Sequence, residues 1–328
     1  MKAANYERPG PAREVLTIAD LPTPKAGPGE VRVKVAWSAV NPSDVKSRAA
    51  VRSKTLPFPR IVPHSDGAGA IDQVGEGVPP SRIGERVWLW NAAWGRPFGT
   101  AAEFVTLPSA QAVPLPDGVD LEVGACLGIP ALTAYHAVAV DGGVEGQSVL
   151  ISGGAGAVGH YAIQIAKLQG ARQVLATVSS EEKAALARAA GADLVFNYKS
   201  EDWVAKCNEA TGGVGVDRIV EVDAAANVKG DLAAIRPEGR IVVYGSGAPE
   251  IAVPFGPSIL KNVRYSFFIV YNLSSEDRQR AVTALTELLS AYRLEHNIAV
   301  RLPLARIAEA HERVEQGTAI GKVLVEIV

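Results

Sequence analysis

The chain is poor in sulfur, with two cysteines, Cys126 and Cys207, and one methionine among 328 residues. Two thiols cannot make a disulfide framework or a four-cysteine zinc site, so neither kind of staple is expected. No apolar run approaches the ~20 residues of a membrane-spanning helix. The opening residues, MKAANYERPG, lack the apolar core of a signal peptide. Charge of one sign is also scarce, the formal net charge being -2. Without a basic field, nucleic acid is not expected as a main partner, and no membrane is expected either. The expected setting is the cytoplasm, with both thiols reduced. Cys126 lies in an apolar run, residues 124–129, and reads as a small buried hydrophobe rather than a nucleophile.

What the chain does have is glycine and proline, 32 and 21 residues respectively, unevenly used. The first 120 or so residues read as strands and turns. Residues 30–37 alternate apolar and polar, 68–74 are strand-like and 86–90 form a short apolar run, with prolines and glycines between them. From about Leu121 the rhythm becomes helix alternating with strand. Strands are expected at 148–152, 173–178, 194–197, 218–222, 240–244 and 263–270, with helices at 161–168, 181–190, 201–210 and 228–235. Six strands in alternation with helices imply a doubly wound parallel sheet. A further helix is expected from about Ser274 to Tyr292. The closing segment KVLVEIV is assigned to the first domain, which makes the second an insertion.

The segment SVLISGGAGAVG, Ser148 to Gly159, carries the most information. A buried strand breaks into Gly153, Gly154, Ala155, Gly156, Ala157, Val158 and Gly159, after which an amphipathic helix begins. From Gly154 this is G-x-G-x-x-G between strand and helix. The first glycines permit a tight turn and close approach to a pyrophosphate, and the last lets helix and strand pack. The helix N-terminus then offers unpaired N–H groups to the anion.

Further motifs run along the chain in order: NPSD (41–44), HSDGAG (64–69), GTAAEFV (99–105), GIPALTAY (128–135), GADLVFNY (191–198), GRIVVYGS (239–246), then AEAHERVEQG and GKVLV. In this order and spacing the chain resembles the medium-chain dehydrogenase/reductase superfamily, and within it the zinc-independent, zeta-crystallin-like quinone oxidoreductases. The resemblance implies an α/β protein with two domains. One is a GroES-like, mostly β catalytic domain at 1–122 and 273–328, and the other a Rossmann domain with a six-stranded parallel sheet at 123–272. Zinc-dependent relatives carry a catalytic cysteine and a histidine inside G-H-E. Here Asn41 stands at the cysteine position and Ser65 at the histidine position, with His64 one residue out of register. His64 is therefore expected to be a surface or supporting histidine, and no bound metal is expected.

The second expected strand ends in Ser179-Ser180, with no carboxylate where an NAD-binding fold accepts a bond from the ribose 2′-hydroxyl. Ser179 can donate a hydrogen bond and Lys183, one turn on, can supply positive charge. Tyr198 follows the third strand. The resemblance assigns Ser179, Lys183 and Tyr198 to a 2′-phosphate pocket, which points to NADPH. Glu181 and Glu182 count against this, although acidic residues also suit a helix's first turn. The resemblance further places Gly245, Ser246 and Gly247, with Val270, Tyr271 and Asn272, against the nicotinamide half, and adds Asn227 and Thr133.

Lacking the residues for a metal Lewis acid, the site favours acceptors that are already electron-poor. The expected reaction is NADPH-dependent reduction of a quinone. The alternatives are an alkenal, enone or enoyl thioester reductase, and a NADPH-binding structural or RNA-associated protein. Asn41 is expected to donate to the acceptor oxygen, with Asp44 beside it. Asn-Pro is also a turn signal, and Asp44 also suits a helix cap. The tyrosine that the resemblance implies nearby is not evident at 48–54. Trp88, Trp90, Trp94 and Phe98 either wall an aromatic acceptor or belong to the core. Residues 263–270, VRYSFFIV, read as an apolar edge strand that pairs with its copy in a homodimer, itself able to pair into a tetramer.

Overall fold

The computed structural model describes residues 1–51 and 55–327. The chain divides into two compact units, one of Met1–Ile129 with Thr286–Val328 and the other of Pro130–Leu285.

The first unit is built on a seven-stranded sheet. Its spine is the Glu30–Val40 strand, where Val31, Val33 and Val35 face the core at every second position, as a half-buried strand requires. This strand pairs antiparallel with Asp66–Val74, Phe104–Pro108 and Lys322–Glu326. The chain's last strand, Lys322–Glu326, therefore lies beside one of its first. Ile71, Val87, Leu89, Val105 and Leu107 close the core around the valines. At its end the spine runs through Asn41, in extended conformation, into the Pro42–Arg48 helix. Pro42 suits the first helical position because its missing N–H would have no partner there.

The second unit is a six-stranded parallel sheet flanked by helices. The strand order is Leu194–Asn197, Gln173–Val178, Ser148–Ile151, Val216–Glu221, Ile235–Val243, Arg264–Phe267. In chain order this is 3-2-1-4-5-6, with the reversal between the first and fourth strands. A crevice outside the carboxyl ends of those two strands is where such sheets bind ligands. The fold is thus the α/β pairing of a GroES-like β-domain with a Rossmann sheet.

Several elements differ from the sequence expectation. The helix after the glycine turn is Ala157–Leu168, not 161–168, because Gly156 already serves as its N-cap and the turn runs straight into the helix. The helix expected at 228–235 is Ala224–Ala234, and the fifth strand starts at Ile235 rather than 240. Its first residue pairs with Val216 before a bulge, where Glu238 takes a positive φ of 60°. The strand expected at 263–270 is only Arg264–Phe267. Its neighbour ends at Val243, whose carbonyl still takes the Phe268 N–H, and beyond that the chain turns at Val270–Asn272. The second unit runs past 272 into the Ser275–Ser290 helix, where Arg278 (6% exposed) donates to the Val270 carbonyl.

Candidate cofactor and acceptor sites

The glycine turn sits at the carboxyl end of the Ser148–Ile151 strand. Gly153 takes a φ of +70°, the left-handed region that favours glycine. Its N–H donates to Thr177 Oγ1 at 3.3 Å, and the Gly154 N–H donates to the Thr177 carbonyl at 2.9 Å. The turn is thereby anchored to the second strand. A Cβ on Gly159 would lie 2.2 Å from the Gly153 carbonyl oxygen, so only glycine lets the helix approach the turn this closely. Gly156 brings no side chain to the first-turn N–H groups of Ala157–Leu168, and no acidic residue stands in that turn. This is the cradle a pyrophosphate needs, and the residues fit a dinucleotide.

At the tip of Gln173–Val178 the structure brings together all three residues of the expected 2′-phosphate pocket. Lys183 Nζ donates to Ser179 Oγ at 2.9 Å. The Tyr198 N–H donates to the Val178 carbonyl at 3.0 Å, which fixes this half-exposed tyrosine beside Ser179. Ser180 Oγ caps the Glu181–Ala189 helix by accepting from the Lys183 N–H at 3.3 Å. Glu181 is paired with Arg188 at 2.6 Å.

Of the residues expected on the nicotinamide side, Asn227 and Gly245 to Gly247 stand beside the carboxyl ends of the first, fourth and fifth strands. Asn227 Nδ2 donates to Ser152 Oγ at 3.2 Å and to Glu221 Oε1 at 3.0 Å, bridging the tips of the first and fourth strands. Gly245 accepts from the Ala224 N–H at 3.3 Å, and the Gly247 N–H donates to Asp223 Oδ1 at 2.7 Å. Ser246 Oγ donates to the Ala248 carbonyl at 2.7 Å. Thr133 is buried in the Leu132–Ala139 helix. Val270, Tyr271 and Asn272 lie in a 3-10 turn, with Val270 buried.

Sequence reasoning missed the acids beneath this surface. Glu221 and Asp231 are 0% and 1% exposed, and burial pushes both carboxyls upward, with Glu221 adding to the rise at Asp231 and Asp223 adding to that at Glu221. Burial beside Glu221 also raises the Tyr244 hydroxyl. The available signal was the spacing of Asp223, Asn227 and Asp231, four apart on a helix packed against the sheet.

In the first unit, Asn41 and Asp44 are both buried, at 2% and 7%. The Asn41 N–H donates to Asp44 Oδ2 at 2.8 Å, so Asp44 holds the start of the Pro42–Arg48 helix. Burial pushes the Asp44 carboxyl up to about 7, against the bond from Asn41 and with help from the nearby Asp66. Asn41 Nδ2 donates to Asp66 Oδ2 at 2.8 Å, and Asn41 Oδ1 accepts from Lys322 Nζ. Lys322 Nζ also lies 3.1 Å from Asp66 Oδ2. The Asn41 amide is thus committed within the protein, where the sequence reading has it facing an acceptor. Neither Asp66 nor Lys322 figures in that reading.

His64 is fully buried rather than on the surface. Its Nδ1 lies 2.8 Å from Ser38 Oγ and its Nε2 lies 2.9 Å from His311 Nε2. Ser38 Oγ lies 2.8 Å from Thr100 Oγ1, which donates to the Asp66 carbonyl at 2.6 Å. That last donor fixes all the others: Ser38 donates to Thr100, His64 Nδ1 to Ser38, and His311 Nε2 to His64. Burial keeps both rings neutral, lowering His64 far and His311 to about 3. Of the expected aromatic wall, Trp88 is core at 0% exposure, Trp90 is half-buried, and Trp94 and Phe98 are exposed. Of residues 48–54, in which no implied tyrosine is evident, 52–54 lie outside the described residues. Cys126 and Cys207 are buried, and burial pushes both thiols up to about 12. Among the described residues no three His, Cys, Asp or Glu side chains converge as a metal cage. No helix among them is long and apolar enough to cross a membrane.

Comparison with known proteins agrees with this architecture. Residues 27–117 match the alcohol dehydrogenase GroES-like domain, and residues 157–287 match the zinc-binding dehydrogenase family. Human quinone oxidoreductase is 31% identical over 97% of this chain and 95% of its own. The crystal structure of an NAD-dependent alcohol dehydrogenase superposes with a TM-score of 0.91 at 32% identity, covering 100% of both chains. A mycobacterial protein complexed with NADPH superposes with a TM-score of 0.89 at 28% identity, over 99% of this chain and 100% of its own. The two domain families are matched in order and a quinone oxidoreductase along almost its full length, so the chain belongs to the quinone oxidoreductase family of the medium-chain dehydrogenase/reductase superfamily.

Proposed function

We propose that this medium-chain dehydrogenase/reductase-family oxidoreductase takes NADPH as its nicotinamide cofactor, that the acceptor is a quinone or a closely related conjugated carbonyl compound, and that the reaction uses no zinc. The observation that carries the cofactor choice is the Lys183–Ser179 hydrogen bond at the tip of the second strand, with Tyr198 beside it and no carboxylate at the strand end. A carboxylate there would repel a 2′-phosphate, whereas an ammonium and two hydroxyls attract it. The bound dinucleotide supplies a hydride.

The chain's own residues bind and orient. The glycine turn and the Ala157–Leu168 helix N-terminus hold the pyrophosphate, and Asn227, by tying Ser152 to Glu221, keeps the crevice floor rigid. Gly245 to Gly247 and the Val270–Asn272 turn take the nicotinamide end. Asn41 and Asp44 belong to the acceptor side, Asp44 holding Asn41 in place and Asn41 organising the polar groups around it. The exposed edge strand Arg264–Phe267 and the exposed Phe255, Ile259 and Leu260 fit a homodimer formed through this face.

The test is a panel of quinones and enones assayed for NADPH oxidation, with NADH in parallel and with a chelator present and absent. NADPH should be preferred, the chelator should have no effect, and quinones should lead the panel. Preference for NADH, or loss of activity on chelation, would refute the corresponding part.

A further inference from the structure

We propose that Lys322 is the electrophilic residue of the acceptor site, donating a hydrogen bond to the carbonyl oxygen that collects negative charge as the acceptor is reduced. The inference rests on the reductase reading above. Lys322 opens the chain's last strand and is 4% exposed. Its ammonium donates to Asn41 Oδ1 and to Asp66 Oδ2, and Asn41 Nδ2 donates to that same Asp66 oxygen. The three side chains thus form a closed ring with every atom's direction set. An ammonium has three donors, and the ring uses two. The third N–H meets no partner among the described residues. Asp66 Oδ1 is likewise buried without a partner.

An ion pair kept only to hold the fold is expected to satisfy its polar atoms, because each buried one left open is costly. Here a donor and an acceptor are left open in one buried cluster. Its position adds the second argument. Asn41 is the residue that the sequence reading turns toward the acceptor, and the charge bonded to its amide oxygen is the Lys322 ammonium. Asn41 and Asp66 are positioning residues in this scheme, since they grip the ammonium and leave one N–H to the acceptor.

The step balances without a further reagent. A hydride adds to the electron-poor carbon of the conjugated acceptor, and an electron pair moves through the conjugated system onto its oxygen. The donor is oxidised by two electrons and the acceptor reduced by two. A proton from water completes the product, and Lys322 keeps its own proton throughout. A preorganised donor aimed at developing negative charge acts most strongly where water is excluded.

Lys322→Met alone strands the Asp66 carboxylate and lowers the thermal midpoint, so the decisive variant is Lys322→Met with Asp66→Asn, which removes both charges at similar volume. Thermal midpoint, NADPH dissociation constant by fluorescence, and kcat with a quinone and an enone are measured on the wild type and both variants. The expected result is a double variant with most of the midpoint recovered and an unchanged NADPH dissociation constant. Its kcat should stay down ~100-fold or more, the scale of one lost oxyanion donor. Recovery of kcat together with the midpoint would make Lys322 a structural ion pair only. Weakened NADPH binding in parallel would assign Lys322 to the cofactor instead. A wild-type protein that reduces no acceptor would end the underlying reading, an outcome distinct from both.

Discussion

Replacing Lys183 with glutamate tests the cofactor assignment at its most exposed point. Lys183 Nζ lies 2.9 Å from Ser179 Oγ, so a phosphate accepting from that hydroxyl comes within ~4 Å of the ammonium. A unit charge pair at that distance is worth ~1 kcal/mol in bulk water. A 2′-phosphate carries about two negative charges, and Lys183→Glu reverses one unit of positive charge, so the swing is ~4 kcal/mol before screening. Salt and the partial exposure of this helix reduce it to ~2 kcal/mol, or ~30-fold in kcat/KM for NADPH. NADH has no phosphate at that position and should change less than ~3-fold, within the range of a weak surface charge effect. The helix itself should survive, because its first turn already holds Glu181 and Glu182 and its cap is Ser180. The assay is steady-state kcat/KM for both cofactors with one acceptor, at low and moderate salt. The NADPH loss should shrink as salt rises. Equal loss with both cofactors, or an unchanged ratio, would refute the reasoning.

Three further outcomes follow from the geometry. Gly159→Ala should abolish cofactor binding and lower the thermal midpoint, because its Cβ meets backbone at 2.2 Å; Gly256→Ala, with nothing within 4 Å, should do neither. The Asp231 carboxyl is raised in the fold above its ordinary value, so its contribution to stability is present at low pH and lost as pH rises through the folded value. Asp231→Asn should therefore flatten the decline in unfolding free energy toward alkaline pH, and an unchanged slope in denaturant titrations would count against the buried acid pair. Phe267→Glu, on the exposed edge strand, should shift the mass by light scattering from dimer to monomer, and a wild-type monomer at micromolar concentration would remove the edge-pairing proposal.

The parts of the fold set by local pattern were legible in the sequence. The Gln173–Val178 strand falls where the apolar run is, and the glycine turn lies between strand and helix as its spacing requires. Ends set by a neighbour were not. The edge strand stops at Phe267 because its partner stops at Val243, although VRYSFFIV itself carries no stop signal. The Ser179–Lys183 contact was legible because the two residues stand one helical turn apart where the second strand ends. The acceptor-side cluster was not, because Asn41 and Lys322 are 281 positions apart and meet only through the pairing of Glu30–Val40 with Lys322–Glu326. His64 similarly reads as peripheral until the Ser38, Thr100 and His311 side chains close around it. No periodicity announces a contact between side chains brought together by sheet register.

Hydride transfer from a nicotinamide cofactor directly to an electron-poor acceptor is the step on which the proposed function rests. The most direct test is NADPH deuterated at C4 on one face or the other, with an enone as acceptor and mass spectrometry of the product. The account predicts deuterium on the product carbon from one face only, with slower turnover for that isotopomer. Absence of label from both, or no NADPH oxidation with any enone or quinone, would contradict it.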